Sequence, residues 1–140
     1  MAKQSISKSQ KSRHYFFLNS YEDAGFTRCP KCDNKTGIRK FPLVVHVEPQ
    51  QLVLLNKKCR YCRTCDLIIA RQSELERMMV VCLEDVKPDV IGNDYVTIGV
   101  LERKDRREAR KGQISQGQAV ERVHVFKDVL HFEPMPSWTR

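Results

Sequence analysis

The sequence predicts a small α+β fold: a long β-hairpin with paired cysteines at its base, one capped helix after it, and a C-terminal β portion. Three observations predict it. Two C-x2-C pairs, Cys29–Cys32 and one within Cys59–Cys65, flank a stretch rich in Val and Leu. Apolar residues then recur at helical spacing from Leu75 to Cys82. Beyond Tyr95 the β-branched and aromatic residues return. A chain of 140 residues with 41% hydrophobic content suits one globular domain with a modest core. We divide it into a basic tail over residues 1–13, expected to be disordered, and a single domain over 14–140. The cysteine-bearing hairpin core falls at about residues 26–70.

Tyr15, Phe16 and Phe17 suit a first strand, although bases could also stack on them beside Lys8, Lys11 and Arg13. Ile38 to Val47 suits a strand, and Pro42 within it implies an edge position or a bulge. Glu48-Pro49-Gln50-Gln51 is a turn, Leu52 to Tyr61 the returning strand and Leu67 to Ala70 a short third one. Ser73-Glu74-Leu75-Glu76 has the form of a capping box. Leu75, Met78, Met79 and Cys82 follow at i, i+3, i+4 and i+7 on one helical face, and Pro88 ends that helix. Tyr95 to Leu101 reads as a strand, Gly112 to Gln118 as a loop, and Val123 to Phe132 as strand in preference to helix.

The cysteines carry the clearest chemistry. The stretch Met1–Ser12 has no apolar core of a secretory signal, and no apolar run approaches the roughly 20 residues of a membrane span. A cytoplasmic, non-membrane protein is expected. In a reducing compartment closely spaced cysteines read as metal ligands, and two C-x2-C knuckles supply the four soft donors of a tetrahedral zinc site. The first knuckle is Cys29 and Cys32. The second is either Cys62 and Cys65 or Cys59 and Cys62. We favour Cys62 and Cys65, because that set centres nearer the predicted turn. Val53, Leu55 and Cys59 also share one strand face at period two, which makes Cys59 a core thiol. A bacterial-type iron–sulfur run would need a further cysteine at position 69, which is Ile69.

CPKC, a strand–turn–strand, YCRTC and then DLIIA together look like a zinc ribbon. The stretch Cys29 to Leu83 also resembles the YgiT-type zinc finger of MqsA-like antitoxins. There two C-x2-C pairs are separated by a similarly long hairpin, and a short helix follows. The resemblance implies one structural Zn2+ on Cys29, Cys32, Cys62 and Cys65. Those antitoxins continue into a helix-turn-helix part that binds DNA, whereas residues 90–140 here read as strands and a basic segment.

Other patterns are weaker. His46-Val47-Glu48 matches the H-x-E of zinc deaminases, but no P-C-x-x-C follows it. His124 and His131 have no ligand partner at suitable spacing, and Cys82 sits among methionines on the predicted helix face. With no nucleotide-binding or nucleophile motif in the chain, an enzyme is not expected.

Basic residues exceed acidic ones by 8, and the excess lies at the two ends while residues 71–100 are net acidic. If residues 103–111 are helical, Arg103, Arg106, Arg107 and Arg110 form one stripe, with Asp105 and Glu108 turned away. Guanidinium forks fit phosphate oxygens, so the stripe is the candidate nucleic-acid contact. The expected function is therefore a zinc-stabilised nucleic-acid-binding or ribonucleoprotein-associated protein, with a zinc-ribbon adaptor for protein partners as the alternative.

Overall fold

The computed structural model describes residues 10–134, so residues 1–9 of the expected tail lie outside the described residues. The strands are β1 (Tyr15–Asn19), β2 (Gly37–Val47), β3 (Gln51–Cys62), β4 (Leu67–Arg71), β5 (Tyr95–Val100), β6 (His124–Val125) and β7 (Asp128–Val129). The helices are α1 (Gln72–Val86), α2 (Arg103–Arg110) and α3 (Gln116–Glu121), with a 3₁₀ turn at Pro88–Val90. The class is α+β, as the sequence predicts.

The β2–β3 hairpin is the scaffold. It runs in unbroken antiparallel register from Val47 opposite Gln51 to Gly37 opposite Tyr61. Side chains alternate, so Phe41, Leu43, Val45 and Val47 fall on one face with Val53, Leu55, Cys59 and Tyr61. Phe16, Ile68, Val100 and Phe126 join this inner cluster, as do Leu75, Met79 and Leu83 of α1. Lys57 lies on the same face, only 5% exposed, and its ammonium donates to Glu74 at the start of α1 (2.7 Å). A buried charge needs such a partner.

The sheet has the order β6-β5-β2-β3-β4-β1-β7 and is mixed: β1 runs parallel to both β4 and β7. Its two edge strands belong to one continuous segment. The Phe126 N–H donates to the Ile98 carbonyl (3.1 Å), while the Lys127 and Leu130 N–H groups donate to the His14 and Phe16 carbonyls of the β1 strand line (2.7 Å each). Residues 124–130 thus bridge both edges, and the sheet curls closed around the inner cluster. Phe16 and Phe126 stack across that seam, ring centroids 4.6 Å apart. The seam also holds the chain before β1, for the Arg13 N–H donates to the Val125 carbonyl (2.9 Å).

Pro42 sits where β5 leaves β2. The β2–β5 ladder covers only Leu43 to Val47, and the Leu101 N–H closes it on the Pro42 carbonyl (2.9 Å). Residues 37–41 of β2 therefore lack a strand neighbour on that side. A proline, with no N–H to offer, fits this boundary.

The helices differ from expectation in three ways. The Ser73–Glu76 capping box does not form: β4 runs directly into α1, Arg71 occupies the N-cap position without a side-chain bond, and Glu76 accepts from the Tyr95 hydroxyl (2.7 Å). The buried stripe of α1 is Leu75, Met79 and Leu83, which leaves Cys82 exposed rather than in the core. Finally, residues 116–121, of which 116–118 are expected as the end of a loop, form α3. Ser115 and Gln118 make its capping box, Gln118 N–H to Ser115 Oγ (3.1 Å) and Ser115 N–H to Gln118 Oε1 (2.8 Å). The strand expected over Val123 to Phe132 is reduced to the two short strands of the seam.

Candidate metal centre and its basic surroundings

The hairpin delivers Cys62, the last residue of β3, to the base of the scaffold. The chain then turns through Cys65 into β4, with Asp66 in the left-handed region (φ 56°). The first knuckle repeats this form. Cys29, Cys32 and Asp33 (φ 68°) make the same tight turn between Arg28 and Lys35, which bridge as a minimal antiparallel pair. In each knuckle a backbone N–H points at the first sulfur: Lys31 N to Cys29 Sγ (3.4 Å) and Cys65 N to Cys62 Sγ (3.5 Å). A side-chain bond from Asn34 Nδ2 to Thr64 Oγ1 (3.0 Å) joins the two knuckles.

The four sulfur atoms of Cys29, Cys32, Cys62 and Cys65 all lie within 4.8 Å of one another and could hold a metal ion. Cys32 and Cys62 are closest, at 3.5 Å. Four thiolates on a tetrahedral zinc, at about 2.3 Å each, stand about 3.8 Å apart, so the donor set fits the ion in number, chemistry and spacing. Burial pushes the Cys62 and Cys65 thiols up, Cys65 to about 12, and the neighbouring sulfurs push the same way. The Asn34 backbone N–H holds Cys32 below the ordinary thiol range. Four crowded thiols resist collective ionisation, and a divalent cation supplies the missing charge. Phe17, Leu67 and Ile69, on the outer faces of β1 and β4, pack against Cys29 and Cys62 and shield the site on that side.

Cys59 is not part of this group. Three residues from Cys62 along β3, it points to the opposite face, buried in the inner cluster. Its thiol meets the Lys57 carbonyl (3.5 Å) and is pushed up to about 12 by burial. His46 and Glu48 lie at the hairpin tip, the far end from Cys62, and stand 4.0 Å apart. His124 is buried in the seam, with Nδ1 2.9 Å from the Lys11 carbonyl and Nε2 3.5 Å from Glu102 Oε2; His131 is exposed.

Arg103, Arg106, Arg107 and Arg110 all belong to α2. Arg103, Arg107 and Arg110 are exposed or nearly so, and Arg106 is half-buried. Asp105 (8% exposed) and Glu108 face the other way, where both accept from Arg122 after α3 (2.9 and 2.8 Å). The two helices are clamped by this one guanidinium, which leaves Arg103, Arg107 and Arg110 outward.

The structure adds basic residues to this surface, of which sequence reasoning singled out only Arg13. Arg13, Arg39 and Lys40 line a cavity together with Arg103, where the unpaired part of β2 meets the end of β5. Lys35 and Arg63, one beside each knuckle, line a second cavity, and Arg39 lines both. No linear pattern marks them, because separate segments of the chain supply them. Comparisons with protein-family models, with curated proteins and with solved structures return no match for this chain, and so do not add to the resemblance to zinc ribbons or MqsA-like fingers. No helix among the described residues is long and apolar enough to cross a membrane.

Proposed function

We propose that this chain is a nucleic-acid-binding protein whose fold is held by one structural zinc ion. The observation that carries the reading is the position of the cations. Arg103, Arg13 and Lys40 on one side of Arg39, with Lys35 and Arg63 on the other, extend from α2 to the cysteine knuckles. A cationic track of this kind neutralises a run of phosphates. The four-cysteine centre has no position left for a substrate once a tetrahedral ion is bound, so the metal's role is to fix the two knuckles and the cations beside them.

The test is the salt dependence of binding to a short oligonucleotide. Replacing Arg103, Arg106, Arg107 and Arg110 together with Gln is expected to weaken binding for all sequences alike. The salt slope should drop by roughly 0.7–0.9 for each phosphate that the variant no longer neutralises. Metal content should hold, since the stripe faces solvent. A wild-type protein without measurable affinity at low salt, or a quadruple variant with unchanged slope, would sink the reading.

A protein adaptor is the second reading. It is favoured by a separate apolar groove of about 270 Å³ between α1 and the 3₁₀ turn, lined by Val47, Met79, Val80, Leu83 and Ile91. An apolar interface there would bind with little salt dependence.

A further inference from the structure

We infer that Arg39 is a stacking platform for an unpaired base, which makes this a site for single-stranded nucleic acid. The inference rests on the nucleic-acid reading above and names the ligand class.

Arg39 lies on the inward face of β2, two residues before Phe41, in the part of the strand that β5 does not reach. The inner cluster would otherwise end there with its aromatic rings open to water. The guanidinium carbon stands 4.9 Å from the Phe41 ring centroid and 4.8 Å from that of Tyr61. His14 packs edge-on against the same two rings, 5.4 and 5.9 Å away, and so limits their movement. Tyr61 is further tied by its hydroxyl, which donates to Asp66 Oδ1 (2.6 Å). Arg39 is thus a cation seated on an aromatic floor while remaining exposed to solvent.

A solvent-exposed planar guanidinium can stack on a further π-system. Arg39 lines two cavities, of about 300 and 490 Å³. Cations stand at both: Arg13, Lys40 and Arg103 at the first, Lys35 and Arg63 at the second. The carboxylate at the first cavity, Glu102, lies 4.0 Å from Arg13 and 3.5 Å from His124 Nε2. Asp66, the acceptor of the Tyr61 hydroxyl, is also bound by His14 and Lys127. A strand whose phosphates run from one set of cations to the other passes a base over Arg39. In a duplex both faces of each base are covered by its neighbours, so only an unstacked base can use the platform.

The experiment compares a ten-nucleotide single strand with a ten-base-pair duplex, using both RNA and DNA versions, on the zinc-loaded full chain. Wild type is expected to prefer the single strand. Arg39→Lys keeps the charge and removes the plane. It should weaken single-strand binding by roughly five- to one-hundred-fold, the range expected for removing one stacked base, while duplex affinity and the salt slope stay put. Weakening on both the RNA and the DNA strand shows that the base is what is read; weakening on RNA alone would assign Arg39 to the 2′-hydroxyl and overturn the stacking platform. Wild-type protein that binds the duplex as tightly as the single strand overturns the inference without any variant. So does Arg39→Lys with unchanged single-strand affinity. In both cases the nucleic-acid reading survives, whereas no binding to any of the four probes removes both.

Discussion

Two aspartates explain how the metal knuckles are shaped. Each C-x2-C pair is followed directly by Asp, Asp33 or Asp66, and both adopt the left-handed backbone that Asp tolerates better than most residues. That turn folds the second cysteine back beside the first. CPKCD and CRTCD are readable as a repeated unit, and the repeat selects Cys62 with Cys65, since Cys59-Arg60-Tyr61-Cys62 is followed by Arg63. Strand parity gives the same answer, because residues three apart in a strand face opposite ways. Elemental analysis of the purified chain is expected to find about one zinc per molecule. Cys65→Ser should lose it, and Cys59→Ser should keep it while losing some core stability. Zinc retained by Cys65→Ser and lost by Cys59→Ser would reverse the ligand assignment. What could not be read at this scale was Arg39. Its role depends on Phe41 and Tyr61 lying side by side across the hairpin and on β5 ending short, and neither is written in the residues around it.

Among the elements, the strands were legible and the helix ends were not. Alternating burial along β2 and β3 follows directly from period-two patterning, which local sequence carries in full. The start of α1 depends on how closely β4 precedes it. With no loop between Arg71 and Gln72, Ser73 falls inside the helix and its capping signal goes unused. The converse holds for α3, where Ser115 and Gln118 fit the S-x-x-Q pattern and do form the box, in a stretch whose two glycines suggested a loop. The seam is the least legible element, since β6 and β7 are two residues each and take their form from β5 and β1. One residue nevertheless marks it. A Cβ built on Gly99 would overlap the His124 carbonyl oxygen and lie 2.8 Å from Val125 Cα, so β6 can approach β5 only at glycine. Gly99→Ala should therefore lower stability by about 1–3 kcal/mol through displacement of the seam, read as a lower denaturant midpoint with zinc content unchanged. A variant as stable as wild type would mean that residues 124–130 are not held as tightly as the closure of the sheet requires.

At the scale of the whole molecule, the four-cysteine group and the core occupy opposite faces of the same strands. The inner cluster, from Phe16 to Phe126, contains no cysteine of the metal group; the second cluster joins Cys29 and Cys62 to Phe17, Leu67 and Ile69. The division follows from β1, β3 and β4 each presenting one face inward and one toward the knuckles. Metal binding and core packing are therefore linked through those strands without sharing side chains. Structural zinc sites contribute folding energy outright in small fingers that have little else, whereas here the inner cluster is built without any of the four clustered cysteines. Chelation is accordingly expected to act in two stages. Thermal stability should fall, and hydrogen exchange should first quicken at the knuckles, at amides such as Cys29 and Thr36 whose partners are the Asn34 and Thr27 carbonyls. The β2–β5 ladder, farther along the hairpin from the ion, should keep its protection until the chain unfolds as a whole. Simultaneous loss of protection at the knuckles and in β2 and β5 would show that the curled sheet cannot stand without the metal. On the proposed nucleic-acid reading, binding should weaken in the first stage, before the sheet opens, because Lys35 and Arg63 flank the knuckles while Lys40 is placed by β2 and Arg103 by α2.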